Sequence, residues 1–231
     1  MRAVTFDFWG TLFRDRDGDL RHDIRTAALA EAAGAAPEDA SRALREVMAE
    51  FFRRHLADAR TLTPRDAVTM AGELLGREVP EDRVPALAEC FATVILRHPP
   101  VPVEGALDAV RAAAARYPVG VISDTGISPG SSLRVLLERE GFTPHLRRLT
   151  FSDEMGVAKP HADMFTRTAE ALGVDPSDIL HLGDLEPTDI AGVHGVGGKG
   201  GLFTGVNDAY AGRTSAEHEF AGWAGFTAWL G

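Results

Sequence analysis

One cysteine in 231 residues excludes an internal disulfide, and a chain without one suits a reducing compartment. That residue, Cys90, falls on an apolar helical stripe and reads as a packing residue rather than a nucleophile. No apolar run is long enough to cross a bilayer, and the N-terminus enters a strand pattern instead of a secretory signal, so a soluble cytoplasmic protein is expected. Positive charge is also scarce. Against 34 Asp and Glu there are 24 Lys and Arg, a formal net charge of −10, which excludes a general nucleic-acid binder. A small anionic ligand needs only local positive charge and stays open. Repeats and low-complexity tracts are missing too. What remains is 45% hydrophobic and 25% charged, the balance of a globular domain or of a core with a smaller insert.

Residues 2–8 predict a first strand that ends at a Gly10-Thr11 turn, and Asp17-Gly18 suits a hairpin turn. The next eighty residues predict helices. Leu44, Val47, Met48, Phe51 and Phe52 recur at helical spacing, as do Ala67 to Leu75 and Leu87 to Ile95. With Ile24–Ala33 these make four amphipathic helices that must bury their stripes on one another. The proline-rich stretch 97–105 ends that region. Beyond it the pattern alternates: a helix at Leu107–Ala114, a strand at 119–123, a helix at Leu133–Leu137, a strand near 147–151, a helix at Phe165–Leu172 and a strand at 179–182. A weak last strand is expected within 195–205 and a short helix near Phe220–Leu230. Strand–helix alternation predicts an α/β fold, a doubly wound parallel sheet with helices on both faces.

Ligands of such sheets bind beyond the carboxyl ends of the strands. Asp7 follows the first strand, Ser123 and Asp124 end the second, and Asp184 follows "ILHLG"; Lys159 lies in "GVAKP", and Asp189 five residues past Asp184. Singly, each has a plain reading as a turn, a cap or a solvated lysine. Jointly they form an acid cluster that needs a cation, and oxygen ligands of this kind suit Mg²⁺ with waters and a substrate phosphate. A carboxylate so placed can attack phosphorus and split one displacement into two. The helical insert could close over the crevice.

"DFWGT", "VISD", "KP" and "LGDLEPTD", in this order and with the helices between the first two, resemble the four motifs of the haloacid dehalogenase superfamily. The resemblance implies a Rossmann-like core at 1–19 and 99–231 and a helical cap at 20–98. It implies Asp7 as nucleophile and Ser123 at the phosphate, with Thr11, Asp124 and Lys159 in the same phosphate site. Mg²⁺ would be held by the Asp7 carboxylate, the Trp9 carbonyl and Asp184, with Asp189 supporting its water shell.

Trp9 departs from the family's phosphatases, where a second Asp at this position protonates the leaving oxygen. A tryptophan can do neither half of that work, though its carbonyl survives. Three readings follow. The first is a Mg²⁺-dependent phosphatase for a small phosphorylated metabolite with altered acid–base chemistry; Asp15, Asp17 and His22 are candidates to handle protons. The second is a metal-free 2-haloacid dehalogenase, which tolerates an aromatic residue here but has no use for Asp184. The third is a catalytically weak binding or regulatory protein. A relative that cleaves carbon–phosphorus bonds needs a cap lysine, and residues 20–100 hold none. The cap residues Arg25, Arg45, Arg53, Arg54, His55 and Arg60 are expected mainly on solvated faces. No nucleic acid or membrane partner is expected, and the chain is expected as a monomer or homodimer.

Overall fold

The computed structural model describes residues 1–231. In chain order it contains β1 (Ala3–Phe6), β2 (Phe13–Arg14), α1 (Gly18–Ala33), α2 (Pro37–Asp58), α3 (Pro64–Leu75) and α4 (Val84–Arg97). There follow β3 (Val101–Pro102), α5 (Ala106–Ala114), β4 (Val119–Ser123), α6 (Gly130–Arg139), β5 (Arg148–Phe151) and α7 (Ser152–Met155). The chain ends with α8 (Ala162–Leu172), β6 (Ile179–Gly183), α9 (Ala191–Gly195), β7 (Lys199–Phe203), β8 (His218–Phe220) and α10 (Trp223–Leu230).

Six strands form one sheet in the order β5-β4-β1-β6-β7-β8, every neighbouring pair parallel. Alternation along the strands sends side chains to two cores. Val4 and Phe6 of β1, with Val119 and Val121 of β4, pack under α5, α6 and α10. Ala3 and Ile122 face the opposite side and pack with Phe165 and Ala169 of α8 and Val193 of α9. β1 is central, flanked by β4 and β6, so the residue after it opens at the middle of the sheet's carboxyl edge.

Helices α1 to α4 bury a separate cluster in which Leu44, Val47, Ala67, Leu87 and Phe91 interlock. Thr63 and Asp66 make a reciprocal capping box at the start of α3. Ala59 ends α2 in the left-handed region at φ 50°, and its carbonyl accepts the Ala158 N–H at 2.7 Å, joining this helical unit to the segment just before Lys159.

Two expectations fail. Asp17-Gly18 is not a hairpin turn; it is the entry to α1, and Phe13–Arg14 pairs antiparallel with Val101–Pro102 from beyond the four helices. The two crossings into and out of the helical unit therefore lie side by side. A sixth strand, β8, was not foreseen, because three residues are too few to show a period. Cys90 is half-buried rather than fully packed.

The last helix belongs to the core. Trp223 is 1% exposed, stacks on Phe203 at 4.3 Å and donates its indole N–H to the Thr11 carbonyl at 3.3 Å. Trp223→Ala should lower unfolding free energy by about 3–5 kcal/mol, measured by urea denaturation. A loss below about 1 kcal/mol would show that α10 is dispensable.

Candidate active site

Lys159 organises the carboxyl edge. It is 2% exposed, and its Nζ donates to Asp7 Oδ1 at 2.7 Å and to Asp189 Oδ1 at 2.5 Å. Its backbone N–H donates to Asp124 Oδ1 at 2.8 Å. Burial disfavours the ammonium, but Asp189 and Asp7 outweigh it and hold the Lys159 pKa above its ordinary value. Burial also raises Asp189, yet Lys159 and His181 hold that carboxyl well below the usual range. His181, wholly buried, links Asp189 to Thr5 on β1 at 3.0 and 2.9 Å.

Asp7 is 5% exposed, and Lys159 meets its Oδ1 alone, leaving Oδ2 without a protein partner. Burial pushes its pKa up, Lys159 opposes, and Asp189 and Asp184 push up again, with a net rise. Asp184 packs on the first loop. A Cβ at Gly10 would fall 2.4 Å from Asp184 Oδ2, so only glycine, here at φ 69°, lets the two segments meet. Asn207 donates to the same oxygen at 3.0 Å.

These residues floor a crevice of about 670 Å³ between the sheet edge and α1–α2. Trp9 is half-buried on its wall, edge-on to Phe8 with ring centroids 5.1 Å apart. Asp15 also lines it and is paired with Arg21; His22 lines it and shares a hydrogen bond with Ser41 at 2.9 Å. Burial and the nearby Arg45 push His22 down. Asp17 lies outside the crevice, beside Arg16 at 3.5 Å.

Of the expected ligands, Asp124 and Asp189 line the crevice with their carboxylates already engaged, and Thr11 and Ser123 lie outside its lining. Thr11 is fully buried and does not line the crevice; its hydroxyl has no partner. Ser123 is fully buried at the end of β4, its hydroxyl donating to the Asp124 carbonyl at 3.3 Å, and the crevice wall begins at Asp124. Asp124 does not present a free carboxylate to a phosphate, since His55 Nε2 meets its Oδ2 at 2.6 Å. Asp189 is already engaged at both oxygens: Oδ1 takes Lys159 and His181, and Oδ2 accepts the Leu185 N–H at 3.0 Å. Arg25 is buried instead of solvated, with Arg21 buried beside it, whereas Arg53 and Arg54 pair with Glu50 on the outer face of α2. His55 and Asn207 are site residues without a signal in the sequence.

The donor set fits a hard divalent cation. Asp7, Asp184 and Asp189 crowd around one ammonium at the crevice floor, and Asp7 and Asp184 are held above the usual carboxyl range. The Trp9 carbonyl accepts no backbone hydrogen bond. No three acidic, His or Cys side chains converge into a complete cage, so any ion held by Asp7 and Asp184 would take most of its ligands from water or substrate.

Asp184 allows a test without turnover. Burial, then Asp189, push its pKa up to about 6. A folded-state value above the unfolded one means that stability is lost as pH rises from about 4 through 6. In EDTA near pH 8, Asp184→Asn should therefore be more stable than the parent chain by about 1–3 kcal/mol, and the difference should vanish below about pH 4. A variant less stable at both pH values would show that Asp184 is not under electrostatic stress.

A model of the haloacid dehalogenase-like hydrolases matches residues 1–197. Pyrimidine 5'-nucleotidase YjjG of Escherichia coli is 35% identical over 92 residues; that match spans 39% of this chain and 40% of the relative, less than half its length. Among solved structures, a HAD phosphatase from Thermococcus onnurineus superposes with TM-score 0.73 at 19% identity, covering 100% of this chain and 98% of the other. A 2-haloacid dehalogenase from Pseudomonas syringae reaches 0.69 at 20% identity, covering 100% of both chains.

Proposed function

The chain belongs to the haloacid dehalogenase-like hydrolases, and we propose that within them it is a Mg²⁺-dependent phosphatase acting on a small phosphorylated metabolite. The observation that carries this reading is the packing of Asp184 on the Gly10 loop beside Asp7, which crowds two carboxyls whose raised pKa values show the cost of ionising them without a cation. Asp7, the Trp9 carbonyl and Asp184 would hold Mg²⁺. When bound, the ion neutralises the phosphate and the charge that develops on it.

The chain's own residues divide the remaining work. An Asp7 oxygen attacks phosphorus, the ester P–O bond breaks, and an aspartyl-phosphate forms. Lys159 holds the Asp7 carboxylate in one orientation and places its ammonium beside the entering phosphoryl oxygens. Asp189 fixes Lys159 in turn. The leaving alkoxide takes a proton, water then attacks the phosphoryl group, and phosphate departs with Asp7 restored.

Trp9 supplies no proton. The crevice carries two imidazoles in its place, His22 and His55. With Nε2 of His55 on Asp124, its Nδ1 is the nitrogen free to exchange a proton. General acid–base catalysis contributes about 10²–10⁴-fold, most where the leaving group is poor. Aryl and acyl phosphates therefore suit this site better than alkyl phosphates. The compartment this reading fits is a reducing one, given a single half-buried cysteine.

A second reading has Trp9 in its favour: a metal-free dehalogenase, whose carboxylate attacks carbon and needs no leaving-group acid. The two part in one assay. The expected result is phosphate release from aryl and acyl phosphates that requires Mg²⁺, stops with EDTA and is abolished by Asp7→Asn. Chloride release from 2-chloropropionate unaffected by EDTA would select the dehalogenase instead. Trp9→Asp should raise kcat on alkyl phosphates by about 10-fold or more and change aryl phosphates far less. An equal loss on every substrate would mean that Trp9 acts by packing alone.

A further inference from the structure

Arg25 projects from α1 onto the crevice wall and is 8% exposed. A buried guanidinium normally faces a carboxylate, as Arg21 faces Asp15 one turn earlier. Arg25 has no such partner. Its Nε and Nη2 donate to the Phe91 carbonyl at 3.1 and 2.8 Å, and Nη2 also to Ser128 Oγ at 3.2 Å. These neutral acceptors sit on α4, inside the helical unit, and on the loop after β4, at the crevice wall, so two elements fix the guanidinium plane. Nη1 donates to nothing in the protein.

Burial pulls the Arg25 pKa down to about 10, with Arg21 adding to the fall and Cys90 and Asp15 opposing it. The group stays cationic at any physiological pH. It is therefore a held, desolvated positive charge whose open edge belongs to the same cavity as Asp7 and Lys159. Arg45 and Arg53 cannot share this role, since both are exposed on the insert's surface.

Building on the phosphatase reading, we infer that Arg25 binds a second anionic group of the substrate, a carboxylate, so that the substrate class is a small phosphorylated carboxylic acid. A carboxylate is favoured over a second phosphate by charge. Arg21 is already neutralised by Asp15, which leaves one positive charge to meet one negative charge. A planar carboxylate also matches the guanidinium fork.

Binding of non-hydrolysable probes tests this independently of turnover. With Mg²⁺ present, calorimetric titration of the full chain should show phosphonoacetate binding about 10- to 100-fold more tightly than methylphosphonate. Arg25→Gln should bring that ratio close to one, and Arg25→Lys should leave it in between. Equal binding of both probes by the parent chain overturns the inference, even if the Gln variant does not fold. Tighter binding of methylenediphosphonate than of phosphonoacetate overturns it in favour of a second phosphate. Failure to hydrolyse any phosphate ester would overturn the phosphatase reading alone, because the probe comparison needs no catalysis.

Discussion

The ammonium of Lys159 lies inside the protein between Asp7 and Asp189, and with the residue's own N–H it holds three separate stretches of chain in place. Asp7 ends β1, Asp189 lies in the turn after β6, and Asp124, which accepts the lysine's own N–H, follows β4. Losing one partner of such a buried group leaves an uncompensated charge, which costs about 3–5 kcal/mol. The backbone is shaped to suit. A Cβ on Gly183 would fall 2.1 Å from Asp189 Cγ, so the glycine before Asp184 is what lets Asp189 turn back under the strand. The helical unit is tied to the same point, through Ala158 to Ala59 and through Asp124 to His55. The charged centre is thus also the joint between the sheet and the helices.

That joint explains which parts of the molecule were legible in the sequence. Strands buried on both faces and helices with long apolar stripes announce themselves by period, and β4 was read to the residue. Asp7, Lys159 and Asp184 could be placed together because strand ends converge in a parallel sheet whatever the side chains do. The failures share a cause in contacts between distant segments. Phe13–Arg14 finds its partner only beyond α4, so a local turn signal at Asp17-Gly18 misled. Thr11 and Ser123 were expected at the phosphate from their place in the motifs, but the C-terminal Trp223 and the packing around β4 decide where they stand.

The insert was least legible for a related reason. An amphipathic stripe shows which face of a helix is apolar, but not which polar residues border a second domain. Arg25 and Arg45 look alike in sequence, yet one is buried on the crevice wall and the other is exposed. His55 lies in a run of arginines on α2 that reads as a solvated face, and it reaches Asp124 from the last turn of that helix.

Charge is divided across the crevice. The sheet edge carries carboxylates in excess, and the insert carries cations, with Arg25 unpaired. A substrate bound between them has to meet negative potential at one end and positive at the other. On the proposed reading, a metal cation would stand between the phosphate and the acids, and an anionic tail would meet Arg25. Trp9 lines the same crevice two residues after Asp7, where a second acid would have added to the negative floor. With an indole there, the floor keeps the Asp7 and Asp184 carboxyls and carries one fewer ionisable group. Its charge can then be balanced by one divalent ion and Lys159, without sharing a proton between neighbouring carboxyls.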